Sequence, residues 1–235
     1  MKLVIKNLEK KFGTKEVLKD INFEFESGKI YGLLGRNGAG KTTLFNCLNE
    51  DLEIDNGSFF IEDKETRKVE ASDIGYVLST PVVPEFLTGR EFLKFFIDIN
   101  KDKITDLKSI DEYFDLIKLD VSDRDKLMKD YSHGMKNKMQ MLVNIIANPS
   151  ILLLDEPLTS FDVVVAEEMK ELLKKTKENR ILIFSTHILE LALDLCDEIV
   201  VLNNGMLERV SKSNLNNAKF KEKIINVLKG EEDAE

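Results

Sequence analysis

A chain of 235 residues is long enough for one large α/β domain or two small ones with a substantial core. Its 12 glycines and 4 prolines, with 43% apolar residues, exclude a linker-rich chain. Its 34 basic and 43 acidic side chains give a net charge of −9, which argues against nucleic acid as a partner but is compatible with a local basic groove.

The cysteines and the apolar runs bear on the cellular compartment. Cys47 and Cys196 lie far apart without metal-ligand spacing, which is typical of buried free thiols in a reducing cytosol. The apolar stretch within residues 1–7 is too short for a signal peptide. The runs 151–154 and 199–202 have the length of strands, not of bilayer spans. Any role at a membrane is therefore expected to depend on a partner.

The first third of the chain has the pattern of strands around one helix. A helix is predicted over 43–48, directly after a glycine-rich segment, and residues 55–57 carry a turn signal. Alternating or continuous apolar runs predict strands at 3–5, 21–25, 30–34, 59–61 and 74–78.

From about residue 85 to 148 the pattern becomes helical. Thr88 and Glu91 have the spacing of a capping box at the start of the first helix, and further helices are predicted over 110–117 and 132–146. Asn148 and Pro149 end the last of them. The apolar stripe of the first helix is predicted to comprise Phe92, Phe95, Phe96 and Ile99.

The last third alternates strands at 151–155, 181–185 and 199–202 with helices over about 163–177 and 188–195. Residues 203–205 are typical of a hairpin turn, and the last twenty residues are predicted to form a helix with an acidic tail. We predict a single domain over 1–235. Its α/β core covers about 1–84 and 149–210, a helical subdomain covers about 85–148, and the C-terminal helix and tail cover about 211–235.

The segment 35–42 fits the pattern Gly-x-x-x-x-Gly-Lys-[Ser/Thr], between a predicted strand and a predicted helix. Its glycines allow backbone N–H groups to point at phosphate oxygens beside the positive end of the helix, whereas the alternative is a flexible turn. Lys41 can reach the β- and γ-phosphates of ATP, and the Thr42 hydroxyl can bind Mg²⁺. The predicted nucleotide-binding residues here are Gly35, Asn37, Gly38, Ala39, Gly40, Lys41, Thr42 and Thr43.

A second motif, the acidic pair Asp155 and Glu156, follows the apolar run 151–154. Asp155 is expected at the carboxyl end of a central parallel strand, where it can hold a water of the Mg²⁺ shell. Glu156 is then placed to act as the general base for an attacking water. Four apolar residues before Asp-Glu also occur in many ordinary core strands, so the interpretation depends on the glycine-rich segment upstream.

Together these motifs resemble the nucleotide-binding subunit of an ATP-binding-cassette (ABC) transporter, over nearly the whole chain. Residues 131–135 resemble the ABC signature Leu-Ser-Gly-Gly-Gln, with Ser132 and Gly134 matching and the other three positions departing. The resemblance implies an α/β fold of the P-loop NTPase class, with a RecA-like ABC ATPase core, an N-terminal antiparallel β-subdomain and an inserted α-helical subdomain. It also implies that Ser132 and the N-terminus of its helix bind the γ-phosphate of ATP held by the other subunit.

Three further positions match the family. Asp162 falls on the loop that couples two sites across the dimer, and His187 falls on the switch histidine that contacts the γ-phosphate and positions Glu156. Phe12 matches the aromatic residue that stacks on adenine, although a plain core phenylalanine is the alternative. With Lys41, the resemblance therefore assigns catalysis to Glu156 and His187.

Ser79 is the informative departure from the family, which usually has Gln at this strand end, reaching Mg²⁺ and the water. Serine is too short to span the same distance without a bridging water. Our hypothesis is that Ser79, with Thr42 and Asp155, forms the metal site, that metal coordination is looser here and that hydrolysis is slower. A basal ATPase rate and Mg²⁺ affinity unchanged by Ser79→Gln contradict this hypothesis.

The resemblance implies an ATPase that dimerises, as a homo- or heterodimer, around two ATP–Mg²⁺ and drives an integral membrane permease from the cytoplasmic face. Residues 84–93 and the Tyr-Ser-x-Gly-Met form of the signature are similar to the ABC-2 type exporters, whose substrates include peptides, antibiotics, lipids and polysaccharides.

Two alternatives remain open. A soluble ABC ATPase in an assembly role, such as iron–sulphur cluster scaffolding, has the same motifs but no membrane partner. Ribosome-associated members have two cassettes in one chain, and DNA-repair members contain long coiled coils, whereas this sequence has one P-loop and no such heptad run.

Overall fold

The computed structural model describes residues 1–104, 106–159, 161–211 and 218–229. Two β-sheets and seven α-helices form in these residues. The strands are β1 Lys2–Phe12, β2 Lys15–Glu26, β3 Lys29–Leu34, β4 Asn56–Glu62, β5 Thr66–Lys68, β6 Ile74–Val77, β7 Ile151–Asp155, β8 Ile181–Thr186, β9 Glu198–Asn203 and β10 Met206–Val210. The helices are α1 Lys41–Leu48, α2 Gly89–Asn100, α3 Ile110–Leu116, α4 His133–Ala147, α5 Val163–Thr176, α6 Leu189–Leu195 and α7 Ala218–Lys229.

The central sheet has six strands in the order β10-β9-β3-β8-β7-β6. All neighbouring pairs are parallel except β10 with β9, which pair antiparallel. Strands β3, β7 and β8 are almost fully buried because helices or the second sheet cover both faces, which explains their continuous apolar runs. Their carboxyl ends meet at one edge, where Leu34 pairs with Thr186 and Asp155 pairs with Ser185.

The second sheet is antiparallel, with the order β2-β1-β4-β5. Apolar residues of β1 and β2 share one core with α1 and one face of the central sheet, as Leu3, Phe25 and Tyr31 illustrate. Phe25 and Tyr31 meet edge to face, with ring centroids 4.9 Å apart. The predicted α/β fold of the P-loop NTPase class, with an antiparallel N-terminal sheet, is confirmed.

The helices α2 to α4 lie between residues 89 and 147 and, with α5 and α6, belong to the core on the other face of the central sheet. The predicted capping box is present, because the Thr88 side chain accepts from the Glu91 N–H and Glu91 accepts from the Thr88 N–H. The predicted apolar stripe of α2 was partly wrong, since Phe95 and Ile99 are 58% and 63% exposed. The buried face of α2 is Gly89, Leu93 and Ile97, flanked by the partly buried Phe92 and Phe96.

Other boundaries differ modestly from the sequence prediction. β1 and β2 extend well beyond 3–5 and 21–25, and β5 was not predicted. The hairpin at 203–205 is confirmed, with positive φ angles at Asn204 and Gly205. The predicted acidic tail, 231–235, lies outside the described residues. Within the described part of the chain, none of the helices has the length and apolar character needed to span a bilayer.

Candidate functional site

The segment between β3 and α1 forms a turn that requires glycine. Gly38 and Gly40 have φ angles of 80° and 110°, a region that side chains disfavour. A Cβ on Gly40 would lie 2.9 Å from Cγ1 of Val17. No side chain caps the N-terminus of α1 and its first turn holds no acidic residue, so the terminus is open to an anion.

Lys41 is the first residue of α1, and its side chain is only 6% exposed. Its ammonium donates to the carbonyl of Gly35 at 2.8 Å and to that of Arg36 at 3.3 Å. Nζ also lies 3.4 Å from Oε1 of Glu156. The loop carbonyls and one carboxylate thus hold the ammonium at the base of the turn, next to the open helix terminus.

Asp155 ends β7 and is almost completely buried. Its Oδ2 accepts from the Thr42 hydroxyl at 2.7 Å, and its Oδ1 accepts from the Ser185 hydroxyl at 2.5 Å. The structure therefore brings together Thr42 and Asp155, two of the residues assigned to the metal site. It adds Ser185, which the sequence interpretation did not assign.

Glu156 and His187 lie together at the same strand ends. Nδ1 of His187 is 3.1 Å from Oε1 of Glu156, so one carboxylate oxygen contacts both this imidazole and the Lys41 ammonium. Glu156 has φ of 46°, and its N–H donates to the Ser185 hydroxyl at 3.0 Å. The backbone thus turns sharply between Asp155 and Glu156, which directs two successive carboxylates to different partners.

A cleft of about 580 Å³ opens over Lys41, Thr42, Asp155 and Glu156, whereas His187 does not line it. Phe12, at the end of β1, and Ser79, after β6, also line the cleft. The remaining lining residues are Lys15, Val17, Asn37, Gly38, Gly40 and Thr43. Lys15 and Val17 were not predicted. Gly35 and Ala39 do not line the cleft; a Cβ on Gly35 would lie 2.9 Å from the Leu202 carbonyl.

Ser132, Gly134 and Asp162 form a second cleft of about 360 Å³, which shares no lining residue with the first. Ser132 caps α4 by accepting from the Met135 N–H at 3.2 Å. Asp162 caps α5 by accepting from the N–H groups of Val164 and Val165, both at 3.0 Å. Two helix N-termini therefore line this cleft.

Lys138 also lines the second cleft, although it is mostly buried. Burial lowers its pKa, and its ammonium donates to the Lys118 carbonyl at 3.1 Å. Within the described residues it forms no ion pair with a carboxylate. The cleft therefore combines two helix N-termini, each capped by its own side chain, with a buried ammonium that the carboxylates of Glu168, Asp120 and Asp162 partly compensate.

The loop that carries Ser79 is held by α4, the helix that begins at the signature segment 131–135. Gln140 of α4 donates to the Leu78 carbonyl at 3.1 Å and accepts from the Val82 N–H at 3.0 Å. Asn144, one turn further along, donates to the Gln140 carbonyl at 2.8 Å. Sequence reasoning missed this clamp, because a polar residue in an amphipathic helix has the same pattern whether it faces solvent or a loop.

The donor set at Thr42 and Asp155 fits Mg²⁺. This ion takes oxygen ligands and is usually bound through one or two carboxylates together with substrate phosphates and waters. The Thr42 hydroxyl and the Asp155 carboxylate supply such oxygens within 2.7 Å of each other. Ser79 is exposed in the same cleft and, in the part of the chain that the structure describes, forms no hydrogen bond to either group.

Comparisons with known proteins identify the family of the chain. A protein-family model described as "ABC transporter" matches residues 18–159. YdbJ of Bacillus subtilis, named as an uncharacterized ABC transporter ATP-binding protein, is 34% identical over 88% of this chain and 68% of its own length. The sulfate/thiosulfate import ATP-binding protein CysA of Synechocystis is 33% identical over 89% of this chain and 60% of its own length. SrtF of Streptococcus pyogenes, a lantibiotic transport ATP-binding protein, is 29% identical over 87% of this chain and 88% of its own length.

Solved structures have the same fold. The ATP-binding subunit of an ABC transporter superposes with a TM-score of 0.80 at 22% identity, over 97% of this chain and all of that one. An ATP-binding cassette solved as a dimer in a post-hydrolysis state with ADP and Pi gives a TM-score of 0.74 at 22% identity, over 89% of this chain and 99% of that one. The family match and the cleft at the P-loop lead to one conclusion: the chain belongs to the ABC transporter family and is an ATP-binding ATPase domain of it.

Proposed function

We propose that two copies of this chain, or this chain and a related one, enclose two ATP–Mg²⁺ and drive a separate membrane-spanning exporter subunit from the cytoplasmic face. One observation carries the proposal: the P-loop cleft and the Ser132–Asp162 cleft are separate within one chain, and each is lined by a helix N-terminus and a lysine side chain. Each cleft is then half of a nucleotide site, which a second chain completes.

Within a site, the P-loop N–H groups and Lys41 bind the triphosphate, and Phe12 stacks on the base. Thr42 and Asp155 would hold Mg²⁺, which would supply positive charge against the charge that builds up on the phosphates. Glu156 takes the proton of the attacking water. His187 holds the Glu156 carboxylate in position for this proton transfer, since Nδ1 of His187 lies 3.1 Å from Oε1 of Glu156.

The general base is tested by Glu156→Gln, which keeps the size of the side chain but removes its basicity. Turnover should fall by ~10²-fold or more, and an ATP-bound dimer should accumulate. Glu208→Gln, on the exposed face of β10, is the matched control and should hydrolyse ATP normally. Near-normal phosphate release from the Glu156 variant assigns the base elsewhere.

The shared site is tested by mixing two inactive variants. Lys41→Ala impairs the P-loop half and Gly134→Asp adds a negative charge at the signature half, where an acidic residue in the first turn of α4 is tolerated by the helix dipole. A mixed dimer contains one intact composite site and one doubly impaired site. ATPase activity should therefore reappear on mixing, and its absence, with both variants folded and dimeric, contradicts the composite site.

Exposed apolar side chains support a protein partner. Val82 and Phe86 follow the Ser79 loop, and Phe95 and Ile99 lie one turn apart on α2; all four are more than half exposed. Replacing Phe95 and Ile99 together by Lys should abolish co-purification with a multi-spanning protein from detergent-solubilised membranes while leaving ATP hydrolysis intact. Purification of the wild type without any membrane protein favours the alternative, an ABC ATPase in a cytosolic assembly role.

Export rather than import rests on the Tyr-Ser-x-Gly-Met signature and on residues 84–93, which are similar to the ABC-2 branch. The names of the relatives do not decide the direction, since CysA is named for sulfate/thiosulfate import and SrtF for lantibiotic transport without a direction. Identification of the co-purified membrane subunit tests this part, because an importer requires a subunit of a different class.

A further inference from the structure

We propose that Ser185 is a positioning residue that orients the Asp155 carboxylate for Mg²⁺ and fixes the backbone of Glu156. This inference rests on the proposed function, because it concerns the metal-facing side of the same site. Ser185 lies on β8, is fully buried and is polar within an otherwise apolar strand interior.

The sheet register places Ser185 beside Asp155. The two residues are direct partners in the parallel pairing of β7 with β8, so their side chains leave the sheet on the same side. The Ser185 hydroxyl donates to Oδ1 of Asp155 at 2.5 Å and accepts from the Glu156 N–H at 3.0 Å. One hydroxyl thus contacts both members of the acidic pair.

The Asp155 carboxylate has two hydroxyl donors within the described residues, one on each oxygen. Thr42 donates to Oδ2 and Ser185 donates to Oδ1. A Thr42 hydroxyl whose oxygen binds Mg²⁺ must orient for both the metal and Asp155. The hydrogen bond from Ser185 to Asp155 does not involve the metal. Ser185 is therefore the group that holds the carboxylate in one orientation while the metal binds, as outer-shell partners do at other metal sites.

The contact with Glu156 has a separate consequence. Glu156 adopts φ of 46°, a left-handed conformation that is uncommon for a residue with a long side chain. The hydrogen bond from its N–H to Ser185 satisfies a backbone donor at this turn. Loss of the hydroxyl leaves that donor unpaired and loosens the position from which the Glu156 carboxylate reaches His187.

The experiment compares Ser185→Ala with Ser185→Thr, which retains a hydroxyl. Equilibrium binding of a non-hydrolysable ATP analogue is titrated with Mg²⁺, and binding is measured separately in EDTA. Ser185→Ala should raise the Mg²⁺ concentration at half-saturation by roughly 10- to 100-fold, the usual cost of losing an outer-shell partner. Binding in EDTA should be unchanged, and Ser185→Thr should restore much of the Mg²⁺ response.

Ser150→Ala is the matched control. Ser150 also donates to a carboxylate, Oδ1 of Asp73 at 3.0 Å, but it precedes β7 at the opposite end of the sheet. Ser150→Ala should lower the melting temperature without changing the Mg²⁺ concentration at half-saturation. If Ser185→Thr does not fold, Ser185→Cys, with nearly the same volume and a weak donor, should resemble the Ala variant.

Two results overturn the inference in different ways. An unchanged Mg²⁺ midpoint in Ser185→Ala, with a lowered melting temperature, shows that Ser185 acts only in folding. Absence of any Mg²⁺-dependent ATP binding by the wild type refutes the proposed function itself, and the Ser185 inference with it.

Discussion

Phe12 provides a quantitative test of how the cleft binds the base of ATP. It ends β1, lines the P-loop cleft and is 49% exposed, with Nζ of Lys10 5.4 Å from the ring centroid. A phenylalanine contributes roughly 200 Å² when fully covered, so about 100 Å² is available here, and a base on one face covers about half of that. At ~25 cal/mol per Å² the contact is worth about 1.2 kcal/mol, near the lower end of the ~1–3 kcal/mol known for base–aromatic stacking.

Phe12→Ala should therefore weaken ATP binding by roughly five- to tenfold, since about 1.4 kcal/mol corresponds to a factor of ten. Isothermal titration calorimetry with ATP and with inorganic tripolyphosphate separates the base from the phosphates. The Ala variant should bind tripolyphosphate normally, because the P-loop contacts do not involve Phe12. Phe12→Tyr should bind ATP as the wild type does.

Phe86→Ala is the matched control, because Phe86 is 78% exposed but does not line the cleft. It should leave the affinity for both ligands unchanged. Equal ATP affinity in Phe12→Ala and the wild type refutes base stacking at this position and returns Phe12 to an ordinary surface aromatic. A loss that is equal for ATP and tripolyphosphate points instead to a distorted P-loop.

Three further predictions concern stability and reactivity. The hydrogen bond from Arg67 lowers the pKa of Asp73 below 3.8. The ionised Asp73 carboxylate therefore stabilises the folded protein above that pH, and this stabilisation is lost as the pH falls through the folded-state pKa. Acid unfolding followed by circular dichroism should be less steep below pH ~4 in Asp73→Asn than in the wild type. Asp162→Ala removes the α5 cap and should lower the free energy of unfolding by ~1 kcal/mol and the melting temperature by roughly 2–4 °C. Asp162→Asn should retain most of this stability. Burial raises the pKa of Cys47 to about 11, so iodoacetamide at neutral pH should modify Cys47 only after denaturation, as peptide mass spectrometry can show.

The central sheet was predictable because its strands are continuous apolar runs of strand length, as 30–34 and 151–155 illustrate. β1 was predicted too short for a physical reason. Its pairing with β2 shifts register after Ile5, and Asn7 has a positive φ of 50°. Such a bulge interrupts the alternation of apolar and polar residues, so the run ends in the sequence although the strand continues.

Helix α2 shows a second limit of periodicity. Phe92 with Phe96, and Phe95 with Ile99, are both spaced four residues apart, so the sequence contains two overlapping stripes. The structure buries the side centred on Leu93 and Ile97 and leaves Phe95 and Ile99 exposed. A helix that carries apolar residues on its exposed side as well as on its buried side gives no single stripe in the sequence.

The motif residues were predictable from short fixed spacings, whereas their supporting residues were not. Lys41 and Thr42 lie in one octapeptide, and Asp155 and Glu156 are adjacent. Ser185 supports Asp155 across 30 positions of sequence, and only the register of β7 with β8 makes them neighbours. Gln140 likewise reaches the Leu78 carbonyl across 62 positions. A single sequence contains no direct record of these pairings.

The contacts of Glu156 bear on the proposed reaction. One oxygen of this carboxylate lies 3.4 Å from the Lys41 ammonium and 3.1 Å from the His187 imidazole. A γ-phosphate that binds Lys41 competes for the same ammonium, since its oxygens accept the hydrogen bonds that the P-loop carbonyls and Glu156 now share. In the proposed reaction, ATP binding exchanges one ion pair for another and lets the carboxylate accept a proton from water while His187 holds it. Under this proposal, water activation requires that the γ-phosphate displace Glu156 from Lys41.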